Sequence, residues 1–418
     1  MNDRSGQPDI FPDAVVQGWR AWLYLAPTSL LLLVLPIAHT TALRMLFLGL
    51  TAIATAWFWR WKNAATAPLL APFAICFLVA LASVPGADDP GFSLDEIKKE
   101  LGYGLIVFLA FYSLSRTRRE VAIWMMVILC NLLWLGIYTL WQGLSSGTLA
   151  FDGWHGGELN YSVFVATTFP LLLAALLYPA APAYWKRVVL LLIPLALYTA
   201  YLTENRIFWV AMAASTLISA MLYLRIRTAP SARSVIVAGT IAVLVVSAFA
   251  FANMAKQRIS SQTGLAQTLS TTAETDPRNK LWAYGVQRIQ ERPWMGTGFG
   301  RMAQEKQFAD HFNNEPLWVH AHNMFLDYGI QMGVPGILAF AFLFVCVIRE
   351  FLKLYHSSDL NVALIGITGV AVVTAVVLKS TTDDQFVRHN ALLFWALVGM
   401  GLGYGTRLGA RAPVSDPR

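Results

Sequence analysis

The sequence predicts an all-α polytopic membrane protein. Two observations lead there. The chain is 56% hydrophobic and only 13% charged, where a soluble domain carries a charged fraction of about 25%. Apolar runs of roughly 18 to 20 residues also recur along it, each long enough to cross a bilayer. The formal charge of +7 is therefore read by side of the membrane and not as a signal for nucleic acid.

In chain order the runs predict twelve spans, near residues 20–37, 43–59, 67–84, 101–115, 121–143, 160–178, 188–203, 207–224, 235–252, 334–352, 360–378 and 391–406. The first begins near Trp19, after a polar segment bearing Asp3, Asp9 and Asp13. No small-residue cleavage site follows it, so it reads as a retained span. Cys76, Cys130 and Cys346 all lie within apolar runs, which leaves no disulfide framework and no CxxC metal site. The organisation is thus nine spans over 1–252, a long connection over 253–333, three spans over 334–406 and a tail over 407–418.

Basic residues orient the spans. One set of short connections, with both termini, holds seventeen Lys and Arg, and the opposite short connections hold six: Arg44, Lys98, Lys99, Arg206, Lys379 and Arg388. Short cytoplasmic loops carry the excess of Lys and Arg, so both termini are expected in the cytoplasm. Six of the seven histidines, His39, His155, His311, His320, His322 and His389, then fall outside, with the long connection. Long ordered loops tend to carry function, and chemistry is expected at this outer face.

Within the long connection, residues 260–275 are rich in Ser, Thr and Gln. Asp276 is a good N-cap and Pro277 suits the first helical position. Leu281, Trp282, Gly285, Val286 and Ile289 repeat at helical spacing, predicting an amphipathic helix on the membrane interface, ended by Pro293. The stretch "GTGFG" at 296–300 has no Lys-Ser/Thr after it and follows a helix. It reads as a tight turn, not a nucleotide loop. A second short helix is expected over 322–331, broken by Gly333, Pro335 and Gly336.

Three arginines stand where helix dipoles disfavour them. Arg206 and Arg44 sit at outer N-terminal ends of spans, and Arg278 is in the first turn of the amphipathic helix. A helix N-terminus carries partial positive charge, so an anionic partner would offset them. Planar guanidinium forks suit phosphate oxygens. A pair between Arg206 and Glu204, or lipid phosphate, is the simpler alternative.

Three blocks together resemble the O-antigen ligase and polymerase superfamily of membrane glycosyltransferases. They are "TENRIFWVAM" with Arg206, "RNKLWAYGVQRIQERPWMGTGFG" with Arg278, Trp282 and Pro293, and "HAHNMFLDYGIQMGVPG" with His320, His322, Asn323 and Leu326. The first departs from the family's commoner Ser-Arg pair, having Asn205 before Arg206. The resemblance implies a GT-C-like, cofactor- and metal-independent transferase of the bacterial inner membrane, active at the periplasmic face. Its donor would be an undecaprenyl-diphosphate-linked glycan. In the ligase members, the acceptor is the lipid A–core oligosaccharide.

The residues suit that chemistry. A sugar hydroxyl is a weak nucleophile that needs a base, and histidine titrates near neutral pH. His322 is the first candidate and His320 the alternative. Zinc binding by the pair lacks a third ligand at a convincing spacing. Arg206 and Arg278 would hold the diphosphate, with Arg44 and Arg388 as weaker candidates. Asn323, Trp282, Asp383 and Asp384 are candidates for sugar binding or orientation. Displacement in one step would invert the anomeric centre. Three rival readings stay open. A polymerase resembles the chain but often has two sizeable outer loops. A protein O-glycan ligase usually adds a C-terminal soluble region. A solute transporter would place ionisable groups near the membrane midplane, where these spans have almost none.

Overall fold

The computed structural model describes residues 18–62, 67–146, 149, 153–179, 181–226, 230–258, 278–313, 318–382 and 386–411. The described residues form helices and connecting turns, without strands. The α-helices are α1 (Trp22–Val34), α2 (Thr41–Lys62), α3 (Leu70–Ser83), α4 (Pro90–Ile97), α5 (Tyr103–Leu114), α6 (Arg118–Ser146), α7 (Gly157–Leu177), α8 (Ala183–Tyr201), α9 (Arg206–Leu224), α10 (Pro230–Arg258), α11 (Arg278–Glu291), α12 (Glu305–His311), α13 (Met324–Tyr355), α14 (Leu360–Lys379) and α15 (Arg388–Arg411). All twelve sequence-derived spans fall on helices. Eight of these, α6 to α10 and α13 to α15, are long and apolar enough to cross a membrane. Among the others, α1, α3 and the Thr41–Trp57 part of α2 are shorter apolar stretches, and the run expected over 101–115 divides into a π-helical turn, Lys98–Gly102, and the 12 residues of α5.

The central helix is α15, whose most apolar window is 83% buried, whereas that of α10 is only 17% buried. The first fact is explained by glycine. A Cβ on Gly403 would stand 2.3 Å from the Tyr112 carbonyl oxygen, and one on Gly399 would stand 2.5 Å from that of Phe108. The Gly-xxx-Gly face lets α15 and α5 approach backbone to backbone, as small residues do between membrane helices. Arg407, one turn further, donates to the carbonyls of Tyr112 and Gly403, each at 2.7 Å. It thereby satisfies carbonyls at the end of α5 that have no partner within the helix.

A few long-range bonds fix which helix ends lie together. The Tyr355 hydroxyl at the end of α13 donates to the Leu222 carbonyl near the end of α9 at 3.3 Å. Their starts, Met324 and Arg206, therefore share the opposite end. There Met324 N–H donates to the Ser380 carbonyl just after α14, at 2.9 Å. Asn390 Nδ2 donates to Asn160 Oδ1 at 3.0 Å, bringing the starts of α15 and α7 together. Ala38 N–H donates to the Trp154 carbonyl at 2.8 Å. One end of the bundle thus gathers the short connections before α2, α7, α9, α13 and α15. It is called the loop end here.

The helix expected on the membrane interface behaves differently. Helix α11 does form, but its stripe turns inward. Leu281 is buried with Phe308 of α12, Ala321 and Ile330, and Trp282, Ile289 and Leu326 pack around them. Of the stripe, only Val286 is exposed, at 44%. The protein itself covers the apolar face, so the hydrophobic drive that would have placed α11 on lipid is spent on a second small core. The N-cap expected at Asp276, Pro277 and the polar segment 260–275 lie outside the described residues.

His155 gives the loop end a pH dependence. Its Nδ1 accepts the Gly157 N–H at 2.9 Å, and its Nε2 lies 2.7 Å from Gln142 Oε1. Burial holds the imidazole below the ordinary histidine range, because a protonated ring would have to charge away from water. A lowered histidine pKa makes the unfolded chain bind more protons. The stability it contributes is therefore complete above about pH 6.5 and fades as pH falls below that. The unfolding midpoint of the purified protein is expected to drop on acidification through this range. The drop should be smaller in His155→Gln.

Candidate active site

The site begins with a break in a helix. Helix α13 is interrupted at Gly333, whose φ of 70° and ψ of −166° are non-helical. Glycine alone adopts such angles without strain, and a Cβ there would stand 2.3 Å from the Pro293 carbonyl oxygen. The break strands the carbonyls of the preceding turn. The "GTGFG" turn satisfies them. Thr297 N–H donates to Ile330 O at 2.9 Å and Gly298 N–H to Gln331 O at 3.0 Å, while Gly300 N–H donates to Gln331 Oε1 at 2.9 Å. The glycine-rich amides that could have cradled a phosphate are thus used to hold the short helix 324–332. This agrees with reading them as a turn.

The start of that helix carries the histidines. Asn323 is its N-cap, and its side-chain oxygen accepts the N–H groups of Phe325 at 3.0 Å and Leu326 at 3.2 Å. That oxygen is occupied by capping, so Asn323 orients the histidine segment. His322, just before it, has a left-handed φ of 51°, uncommon for a residue other than glycine. His39, Glu204 and Arg388 share this conformation, with φ of 60°, 49° and 51°, at or just before the starts of α2, α9 and α15. The chain turns sharply into several helices at this end, and backbone held in sparsely populated conformations tends to cluster at functional sites.

His320 is 5% exposed and Asp327 is fully buried. His320 Nδ1 lies 3.1 Å from Asp327 Oδ2 and 3.0 Å from the His322 backbone nitrogen. Protonated it donates to the carboxylate, and unprotonated it accepts the His322 N–H, so it serves one partner at a time. Asp327 Oδ1 accepts from Ala321 N–H at 2.9 Å and from Gln304 Nε2 at 3.4 Å. A buried carboxylate is costly unless its oxygens are satisfied. Here backbone, imidazole and amide donors share that task, and the helix N-terminus adds partial positive charge. The rings of His320 and His322 stand 4.0 Å apart, tilted by 33°. His322 is half-buried and is the more accessible of the two. Asp327 and Gln304 were missed in the sequence. The available signal was an acid seven residues after His320, the only one in an otherwise apolar run from Met324 to Ile348.

The arginines divide into two groups. Arg278 stands three and four residues before Leu281 and Trp282, so it shares the face of α11 that packs on the histidine segment. The indole N–H of Trp282 is buried without a hydrogen-bond partner among the described residues. Arg206 is the first residue of α9, at the loop end. Asn205 Oδ1 accepts Phe208 N–H at 3.2 Å, so asparagine serves as N-cap where the resemblance expected serine.

Arg44 and Arg388, the weaker clamp candidates, have other partners. Arg44 Nε donates to the Val34 carbonyl at 3.3 Å, and its Nη2 donates to that of Ile37. It caps carbonyls at the end of α1, where partial negative charge offsets a cation. Arg388 Nη2 lies 2.7 Å from Glu96 Oε2, and its Nε lies 3.4 Å from Glu100 Oε1. These contacts account for both cations without an anionic ligand. Glu96 is almost wholly buried, so Arg388→Gln is expected to lower the unfolding midpoint while leaving the activity of the purified protein, as proposed below, near wild type. A large rate loss at unchanged stability would return Arg388 to the clamp. Asp383 and Asp384 lie outside the described residues. Among the described residues no three His, Cys, Asp or Glu side chains converge as metal ligands.

Comparison with known families bears on this geometry. The family model for O-antigen ligase matches residues 188–341. This segment is similar to the O-antigen ligase family. The match runs from within α8 through α12 to just beyond the break in α13. It includes Arg206, Arg278, Trp282, His320, His322, Asn323 and Asp327, and it excludes Arg44 and Arg388. The matched segment is a little over a third of the chain and contains the whole histidine–aspartate arrangement. No curated protein matches the chain.

Proposed function

We propose that the chain is an O-antigen ligase. It transfers a glycan from undecaprenyl diphosphate to the lipid A–core oligosaccharide at the periplasmic face of the bacterial inner membrane, without a metal or other cofactor. The observation that carries this reading is the buried His320–Asp327 pair beside His322, inside the segment that matches the family. All twelve apolar helices cross the membrane in this reading; the even number puts both termini on one side, and the excess of Lys and Arg there makes it the cytoplasm.

The proposed reaction is a single displacement. The acceptor hydroxyl oxygen forms a bond to the anomeric carbon as the carbon–oxygen bond to the diphosphate breaks. The leaving undecaprenyl diphosphate keeps the electron pair, and the hydroxyl proton passes to His322. Asp327 fixes the His320 ring, against which the His322 ring packs. Asp327 and His320 are positioning residues. Arg206 and Arg278 bind the diphosphate, whose charge grows as the bond breaks. Their guanidinium groups match its oxygens in pairs.

The lipopolysaccharide profile of a strain lacking the gene tests the reading. Core without attached polymer, with lipid-linked polymer accumulating, is expected. Core capped by one repeat would assign a polymerase instead, and an unchanged profile would refute both.

A further inference from the structure

The end of the bundle opposite the histidines holds a second feature, independent of glycosyl transfer. The 29 residues of α6 run from Arg118 to Ser146, about 43 Å at the rise of an α-helix. Its far end meets His155 at the loop end through Gln142. Arg118 therefore marks the other end, together with the turn between α7 and α8. Here a cavity of about 370 Å³ lies between α6, α7, α14 and α15. Its walls are apolar, with Met125, Leu171, Val372 and Leu397 among them, while Arg118 and Tyr184 lie at its edge. Tyr184 is 63% exposed, so the cavity edge is on the outside of the bundle. The volume is at the lower end for ligand pockets, and nearly all of its surface is hydrocarbon.

Charge identifies the occupant. Arg119 follows Arg118, and Lys186 and Arg187 follow the lining residue Trp185. Lys186 closes the first turn of α8, which carries no acid, and Arg187 follows it. Cations at a helix N-terminus are unfavourable unless an anion offsets them. An apolar groove with clustered cations at its mouth fits one lipid chemistry: a hydrocarbon chain below a phosphate. We propose that this groove binds an anionic phospholipid, with one acyl chain against Met125, Leu171 and Val372 and the headgroup at Arg118 and the start of α8. Juxtamembrane Lys and Arg attract anionic headgroups by about 1 kcal/mol each, or about fivefold in affinity.

The test uses the full chain, purified and stripped of lipid. Dioleoylphosphatidylglycerol or dioleoylphosphatidylcholine is then added, and native mass spectrometry counts the lipid retained. Phosphatidylglycerol should be retained at least about fivefold better. Arg118→Gln should lower its retention about fivefold, towards the phosphatidylcholine level. Ala122→Phe, which fills the groove from α6, should abolish retention of both. Equal retention of the two lipids by the wild-type protein would overturn the proposal. So would phosphatidylglycerol retention unchanged by Arg118→Gln, an exposed substitution that decides the matter if Ala122→Phe does not fold. Preferential retention of undecaprenyl phosphate in competition would overturn it as well.

Discussion

Replacing His322 with asparagine is expected to lower the transfer rate by about 10²–10⁴-fold, the usual worth of a positioned general base. Asparagine is the substitution to use, because it tolerates the left-handed φ of 51° that His322 adopts. Alanine would add backbone strain to the chemical loss. The unfolding midpoint should therefore stay close to wild type. Asp327→Asn should lower the rate less, by about 10–100-fold, as expected for losing a charge-assisted hydrogen bond of about 1.5–3 kcal/mol. In one orientation its amide would set a donor against Ala321 N–H, which donates to Asp327 Oδ1 at 2.9 Å. The pH–rate profile separates the roles. His322→Asn should remove the limb assigned to the base, while Asp327→Asn, a change at a positioning residue, should lower the rate and keep that limb. Rates that fall only in proportion to lost folded protein would make both residues structural.

The second large effect concerns the cations. Arg278→Gln and Arg206→Gln are each expected to cost about 10²–10³-fold in rate, the scale of removing one donor aimed at transition-state charge. Lysine should restore only part of this, since an ammonium cannot form the paired contacts of a guanidinium. If the diphosphate charge grows as the bond breaks, the loss should appear mainly in kcat. A rise in KM alone would mean that these arginines bind donor and transition state equally. Normal kinetics in both variants would remove the clamp.

The fold was largely legible because its signal is coarse. Apolar runs of membrane length survive errors of a few residues, and the runs behind α6 to α10 and α13 to α15 gave helices of spanning length. The break before the last three spans was legible too, since Gly333 and Pro335 leave few choices to the backbone. What could not be read was which surface would meet which. The stripe Leu281, Trp282, Gly285 and Ile289 announces an apolar face but not its partner. Lipid and a second small core satisfy the same periodicity, and the structure chooses the core with Phe308, Ala321 and Ile330.

The site shows the same division. His320, His322 and Asn323 stood together in the sequence, so their proximity was assured. Asp327 was hidden because its meaning is tertiary. It joins His320 only because Asn323 caps the helix start and the first turn brings its carboxylate back over the segment. Arg44 and Arg388 show the converse. Each occupies an unfavourable helix start in the sequence, but the compensating groups come from the end of α1 and from Glu96 and Glu100. A dipole argument made on one helix omits such neighbours.

The most direct measurement is reconstituted transfer followed by NMR of the new linkage. It combines the purified full chain, a defined undecaprenyl-diphosphate-linked glycan and a lipid A–core acceptor. The account predicts one undecaprenyl diphosphate released per bond formed and an anomeric configuration opposite to that of the donor. A retained configuration, or no transfer by folded wild-type protein, would contradict it.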